Sequence, residues 1–476
     1  MTSERECYVY IVPPNATEFV TAGRFKVSLT PDGDPIGQFF YGRRYLERND
    51  AVELDPIELR LRRGPYETAR MEGFFGAIRD SMPDFWGRRV IERNTGHTLL
   101  EEFDYLMYGP DDRAGALGFG LNVEPPAPKR RFNRTLDLEL IQAAADAIIN
   151  DDPNLGGSTA RQVEELMLVG TSLGGARPKA AVEHGQGLWI AKFSRHDDRW
   201  NHPRVEYGML KLAKACGLTV ADTEITRVGG RDVLLVRRFD RDRAEDSYRR
   251  HRMVSALTLL QSDDDSASRR DWSYILLADE IRRVSMKPEA DLRELFGRMC
   301  FNAAVSNLDD HPRNHAILAK GRDWRLSPAF DLNPTPMIAV ERRDLAMVCG
   351  NTGRYANRKN ILSQYGRFLL SEEDATAFLD HIVETVRNAW RPTMRRAGVS
   401  EADCEAISTA FLYEGFFYEP LRAGLDQVEQ PAKQRHYKTK PHKMGLRQGR
   451  NLNNGHAPKG TTKHESTGAH NFNVIS

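Results

Sequence analysis

Apolar and polar positions first fall into short strand-like runs. Val9–Val12, Gly23–Leu29 and Leu59–Arg63 read as strands bounded by turn-forming residues. The period then changes. Across Met71–Asn94, Phe74, Phe75, Ile78 and Met82 share one helical face, and Pro83 predicts a break or a new helix start. Residues 1–120 therefore predict a small α+β unit. Residues 121–134, LNVEPPAPKRRFNR, lack apolar periodicity and read as a linker. A helix over Leu136–Ile149 opens a larger unit predicted over 135–429. Within it Leu292, Leu295, Phe296, Met299, Cys300 and Ala303 recur at helical spacing, which predicts a helix with one buried face. After Gln430 apolar positions nearly vanish, so 430–476 predicts a disordered tail.

Composition narrows the class. The 476 residues are 40% hydrophobic and 28% charged, which excludes fibrous and wholly disordered chains. No apolar run approaches the roughly 18 residues of a membrane span, and Met1–Pro14 has no basic region before a proper apolar core. Neither membrane insertion nor a secretory leader is expected. Cys7, Cys216, Cys300, Cys349 and Cys404 stand singly, which argues against a zinc finger or a disulfide framework and predicts a cytoplasmic protein. The net charge of +1 is uneven: the tail from Gln430 holds nine Lys or Arg against Glu465 alone, +8, so the remaining body carries −7. A mildly acidic body predicts no broad contact with phosphate backbones. The tail is expected to be a solvated flexible segment.

The chemistry concentrates at Ser306–His315, SNLDDHPRNH, directly after the apolar helix. Asp309, Asp310, His311 and Asn314 arrive together at its end. Asp309 and Asn314 have the D-x-x-x-x-N spacing of a kinase catalytic loop, where the Asp orients the attacking hydroxyl and the Asn holds Mg²⁺. His315–Ala319 and Trp324–Phe330 then predict a hairpin that returns Asp331 beside Asn314 as a second metal ligand.

An upstream half follows the same order. Gly170–Lys179, GTSLGGARPK, could cradle phosphates with its backbone N–H groups. Strands at Ala180–Glu183 and Leu188–Phe193 carry Lys192, and a helix over Arg204–Cys216 has Glu206 in its first turn, a plausible ion pair. Val233–Val236 predicts a buried strand entering an adenine-contacting hinge at Arg237-Arg238-Phe239-Asp240. Each signal alone has a plainer explanation, as a loop, a solvated lysine or a helix-dipole carboxylate; the ordered set carries the reading. His311 and His315 do not suggest a zinc site, because Pro312 interrupts a regular helix between them. There is no G-x-x-x-x-G-K-[ST] loop, which argues against a P-loop NTPase.

At GTSLGGARPKAAV (170–182), LWIAKF (188–193), VRRFDR (236–241), FNAAVSNLDDHPRNHAIL (301–318) and WRLSPAFDLNP (324–334) the sequence resembles the HipA family of bacterial toxin kinases. FFGAIRDSMPDFWGRR (74–89) is similar to that family's smaller domain. The resemblance implies an α+β, two-lobed protein-kinase-like fold with a small N-terminal α+β domain. It also implies an ATP- and Mg²⁺-dependent serine/threonine kinase. By position, Asp309 would be the catalytic base and Asn314 and Asp331 would bind Mg²⁺. Leu173, Gly174, Gly175, Ala176, Arg177, Lys179, Lys192, Glu206, Arg237, Phe239 and His311 would hold ATP, and Ser172 falls at the family's autophosphorylated serine. The implied partners are a helix-turn-helix antitoxin, operator DNA reached through it, and a protein substrate, best known in the aminoacyl-tRNA synthetase class. Arg237 departs from a hinge position that is often acidic, and Leu308 from a common Thr. A small-molecule kinase of the same architecture and a catalytically idle co-repressor are the competing functions. The serine in the phosphate loop and the extra N-terminal unit favour the protein kinase over the first. The intact Lys192, Asp309, Asn314 and Asp331 disfavour the second.

Overall fold

The computed structural model describes residues 5–97, 99–127, 132–134, 137–150, 177–265 and 267–418. The expected tail lies outside them, as do Ser172 to Ala176. The N-terminal unit is an antiparallel sheet of β1 (Arg5–Ile11), β2 (Val20–Leu29), β3 (Pro35–Tyr41), β4 (Pro65–Thr68) and β5 (Leu117–Gly120), in the order β4-β3-β2-β1-β5. Val9, Ile11, Phe25 and Phe39 point into one buried face, where Phe25 packs on Phe74 and Phe75 with ring centroids 5.3 and 6.2 Å apart. Residues 59–63 form no strand. The buried Asp55 carboxylate accepts the N–H groups of Ile57, Glu58 and Leu59 at 2.8, 2.6 and 3.2 Å, and the resulting turn buries Leu59 without pairing it. The apolar period over 71–94 resolves into two helices, α1 (Gly76–Asp80) and α2 (Phe85–Thr95). Pro83 lies in the gap, and Asp84 caps α2 by accepting from Gly87 N at 2.7 Å.

The rest of the described residues form two lobes. The upper lobe is a sheet of β6 (Asn133–Arg134), β7 (Lys179–His184), β8 (Gly187–Phe193), β9 (Thr223–Val228) and β10 (Arg231–Arg237), ordered β6-β7-β8-β10-β9. The expected linker thus ends in an edge strand, because Asn133 and Arg134 pair parallel to Val182 and Glu183. α3 (Leu138–Ile149) and α4 (His202–Ala215) flank this sheet. The lower lobe holds a hairpin of β11 (Arg241–Ala244) and β12 (Ser247–Arg250), and a sheet of β13 (Arg252–Ser255), β14 (Ala316–Ala319) and β15 (Trp324–Leu326). Its long helices are α5 (Tyr274–Val284), α6 (Pro288–Ala304) and α7 (Glu372–Arg396). α6 departs from the one-faced expectation. Every residue from Leu295 to Ala304 is buried, because α5, α7 and the turn at Tyr365–Phe368 surround it. No helix among the described residues is long and apolar enough to cross a membrane.

The N-terminal unit grips the lobes at three places. Asp80, ending α1, accepts from Ser255 N, Ser255 Oγ and Thr258 Oγ1 at 2.6–2.7 Å on the lower lobe. A Cβ on Gly76 would lie 2.4 Å from Thr258 Cγ2, so only glycine permits this approach. On the other side, Trp86 and Val90 of α2 join the upper-lobe core of Ala180, Val182, Trp189 and Phe193. Finally, the loop Asp112–Gly115 meets the segment after β10. Arg238 donates to Asp112 Oδ1 at 2.5 Å and to Arg113 O at 2.9 Å, and Asp240 accepts from Gly115 N at 2.9 Å. Asp112, Arg238, Asp240 and Arg241 are all buried. Such a network is stable only while complete, since a buried charge without its partner is costly. Asp112→Ala should lower the unfolding free energy by about 3–5 kcal/mol, read as a lower urea midpoint. An unchanged midpoint would show that this junction does not hold the unit in place.

Candidate active site

Three elements converge on one cation. Lys192 projects from β8, an interior strand whose register places it opposite Lys179 and Leu234. Its Nζ donates to Glu206 Oε1 of α4 at 2.6 Å and to Asp331 Oδ1 at 2.7 Å. The side chains are 17%, 7% and 29% exposed respectively, so only Asp331 keeps substantial access to solvent. Burial alone would lower the Lys192 ammonium, but Asp331 and Glu206 hold it above the usual lysine range. Burial raises Glu206 above its ordinary value despite Lys192. Burial works to raise Asp331 as well, but Lys192 holds it low, so Asp331 stays anionic.

Asp331 adopts φ +57°, a left-handed conformation that costs an L-residue roughly 1–2 kcal/mol. Its anchor is the strand-like bridge before it, where Ala221 N donates to Ala329 O at 2.9 Å and Ala329 N to Thr219 O at 2.8 Å. These bonds tie the two lobes together just ahead of the carboxylate.

A cleft of about 480 Å³ opens beside this centre. Of the sequence-derived candidates, Lys192, Arg237, Phe239, His311, Asn314 and Asp331 line it. Phe239 packs on Phe330 with ring centroids 5.6 Å apart. Arg237 reaches toward Asp222, 3.6 Å away, which gives the hinge position a carboxylate from outside its own segment. Glu206 acts behind the lining through Lys192. Asp309 also falls outside the lining, with its side chain exposed. The protein packed around Asp309 and the nearby Asp331 and Asp310 carboxylates push its carboxyl up, against His311 and Arg269. Arg177 and Lys179 do not line the cleft. Arg177 pairs with Asp198, and the buried Lys179 pairs with Asp84 Oδ2 at 2.5 Å.

The catalytic-loop segment is braced from below by a network that periodicity did not reveal. The buried Asp310 carboxylate accepts from Tyr274 OH, and His315 Nε2 lies 2.6 Å from the same oxygen. Asn302 Nδ2 donates to Tyr274 OH at 3.2 Å, and Asn307 Nδ2 to Asn302 Oδ1 at 3.0 Å. The signal was present in the sequence as an Asp and a His five apart in a loop. Nothing local named Tyr274 as the third member.

Asn314 Nδ2 donates to Asp309 O at 3.2 Å, which leaves its Oδ1 available. Asp331 Oδ1 is taken by Lys192, with Asn333 Nδ2 at 3.5 Å, while Oδ2 has no hydrogen bond among the described residues. One amide oxygen and one carboxylate oxygen suit Mg²⁺, which keeps waters and phosphate oxygens in its shell. No group of three or more His, Cys, Asp or Glu among the described residues could cage a metal unaided. Asn314 Oδ1 and Asp331 Oδ2 could hold a metal only together with other ligands such as phosphate oxygens.

The family model of the HipA-like C-terminal domain matches residues 171–390, and that of the HipA N-terminal domain matches 21–120. A protein of Sinorhizobium fredii (strain NBRC 101917 / NGR234) named "Putative kinase Y4mE" is 25% identical over 327 residues, 66% of this chain and 76% of that protein. A chain in the complex of HipA, HipB and operator DNA from Shewanella oneidensis MR-1 superposes with a TM-score of 0.61. It is 16% identical, and the match covers 85% of this chain and 94% of that one. With both domain models matched in order, and the same overall fold in that complex, the chain belongs to the HipA family.

Proposed function

We propose that this HipA-family chain is an ATP-dependent serine/threonine protein kinase that acts as the toxin of a toxin–antitoxin pair. The observation that carries the reading is the single cleft uniting Lys192, Asn314 and Asp331, with Glu206 and Asp309 immediately behind and beside it. Lys192, fixed by Glu206, would hold the nucleotide's phosphates, and Phe239 and Phe330 offer an apolar surface for the base. A Mg²⁺ ion held by Asn314 and Asp331 would neutralise charge on the phosphate oxygens. Asp309 would accept the acceptor hydroxyl's proton. As it does so, the hydroxyl oxygen bonds to the terminal phosphorus and the bond to the departing ADP oxygen breaks. Its raised carboxyl and exposed position suit a base that must meet a protein substrate. The Shewanella complex of HipA with HipB and operator DNA supports an antitoxin as partner; by the family resemblance that antitoxin would be a small helix-turn-helix protein through which DNA is reached.

Asp309→Asn should cut phosphoryl transfer by about 10²–10⁴-fold and leave ATP binding intact. In the wild type, activity should fall as pH drops through a value above the ordinary aspartate range, because a base with a raised pKa protonates earlier. Near-normal transfer by purified Asp309→Asn would remove the catalytic assignment.

Ser172 opens the glycine-rich segment, and a phosphate there would add about −1.5 to −2 charges beside the nucleotide's own. Autophosphorylation at Ser172 is expected to weaken ATP binding and stop transfer. Intact mass and peptide mapping after incubation with Mg²⁺ and ATP read this directly. A Ser172→Ala protein that gains the same phosphate at the same rate contradicts it.

A further inference from the structure

One wall of the cleft comes from the N-terminal unit, through the end of α1, the Ser81–Asp84 connection and the start of α2. Six cationic side chains line the cleft: Arg79, Arg88, Lys192, Arg237, Arg238 and Arg313. Five are engaged with carboxylates. Lys192 holds Glu206 and Asp331, Arg238 holds Asp112 and Asp240, and Arg88 donates to Glu102 at 2.5 and 2.7 Å. Arg313 donates to Asp264 at 2.6 Å, and Arg237 leans toward Asp222. The half-buried Arg79 side chain has no hydrogen bond or ion pair among the described residues.

We propose that Arg79 binds the terminal phosphate of the nucleotide, bringing a guanidinium from the N-terminal unit onto the phosphoryl group that is transferred. The proposal rests on the kinase reading above and adds to it a phosphate ligand from outside the two lobes.

Position supports the assignment. Burial works to raise the Glu102 carboxyl, but Arg88, bonded to it, holds it low with help from the charges of Arg79 and Arg313, which line the same cleft. Arg313 adjoins Asn314, so this end of the cleft belongs to the catalytic loop and not to the hinge at Arg237 and Phe239. Arg79 is also held on a fixed support. Its neighbour Asp80 makes three hydrogen bonds to Ser255 and Thr258, and Ala77 and Ile78 are buried beside it. The backbone that carries it is therefore fixed, and the planar guanidinium fork matches two phosphate oxygens. Charge on the transferred group spreads over three equatorial oxygens, where such a donor stabilises it. Glu102 and Asp264 pair directly with Arg88 and Arg313, whereas Arg79 has no such ion pair among the described residues.

The test is calorimetric titration of the full chain with ATP and with ADP, each with Mg²⁺, for wild type, Arg79→Ala and Arg79→Lys. Arg79→Ala should weaken ATP by about 10- to 100-fold and leave ADP within about twofold, because only ATP carries the terminal phosphate. Arg79→Lys should fall between, since a point charge replaces the fork. Circular dichroism should show an unchanged unfolding midpoint, as expected for a half-exposed side chain with no hydrogen bond or ion pair among the described residues. ATP and ADP affinities that both match wild type, or that both fall by the same factor, overturn the proposal. A wild type that binds neither nucleotide overturns the kinase reading itself, and a wild type that binds both while Arg79→Ala loses nothing overturns only the role of Arg79.

Discussion

The cleft depends on a buried ammonium that must be neutralised where it stands. Lys192 is brought inward by an interior strand of the upper sheet, and leaving it unpaired there would be costly. Two carboxylates meet it, Glu206 from the helix packed on that sheet and Asp331 from the segment after β15. One ion cluster therefore sets the distance between strand, helix and lower lobe. It also accounts for the left-handed backbone conformation of Asp331, whose side chain the cluster holds and whose preceding chain the bridge at Thr219–Ala221 and Ala329 fixes. The same cluster engages one oxygen of Asp331 and leaves Oδ2 without a hydrogen bond among the described residues, free for the proposed metal.

The N-terminal unit is part of this machinery. α1 is fastened to the lower lobe by Asp80, while α2 is buried against the upper sheet through Trp86 and Val90. The connection between them lines the cleft. Asp84 sits in that connection with two tasks: Oδ1 caps α2, and Oδ2 holds Lys179 at the base of the glycine-rich segment. The buried arginine network around Asp112 and Asp240 adds a third attachment at the hinge. A unit fixed at both lobes and the hinge holds one wall of the cleft in place.

Much of the site was legible because local order carried it. The Asp309–Asn314 spacing, the apolar helix before it and Lys192 on a short strand are readable within windows of about a dozen residues. Resemblance to the HipA family supplied the roles. The parts that were not legible depend on long-range partners. Leu59–Arg63 has strand-like composition, but Asp55 captures its N–H groups first. Asn133 and Arg134 sit in a Pro- and Arg-rich stretch, and only the neighbouring β7 makes them a strand. α6 carries Arg298 and Asn302 on faces that a one-sided pattern assigns to solvent. Instead Arg298 donates to Glu294 Oε1 at 2.9 Å and to Ser327 O at 2.5 Å, and Asn302 to Tyr274 OH, so polar residues are buried with their partners. The pairing of Lys179 with Asp84, 95 positions away, has no local signal at all.

The central claim is that the Lys192–Glu206–Asp331 centre and the cleft beside it form a nucleotide-phosphate site. A crystal structure of the full chain with a non-hydrolysable ATP analogue and Mg²⁺ tests it most directly. The account predicts phosphate oxygens on Lys192 Nζ, the metal between Asn314 Oδ1 and Asp331, and the base against Phe239. A nucleotide bound elsewhere, or this cleft empty at saturating analogue, would contradict it.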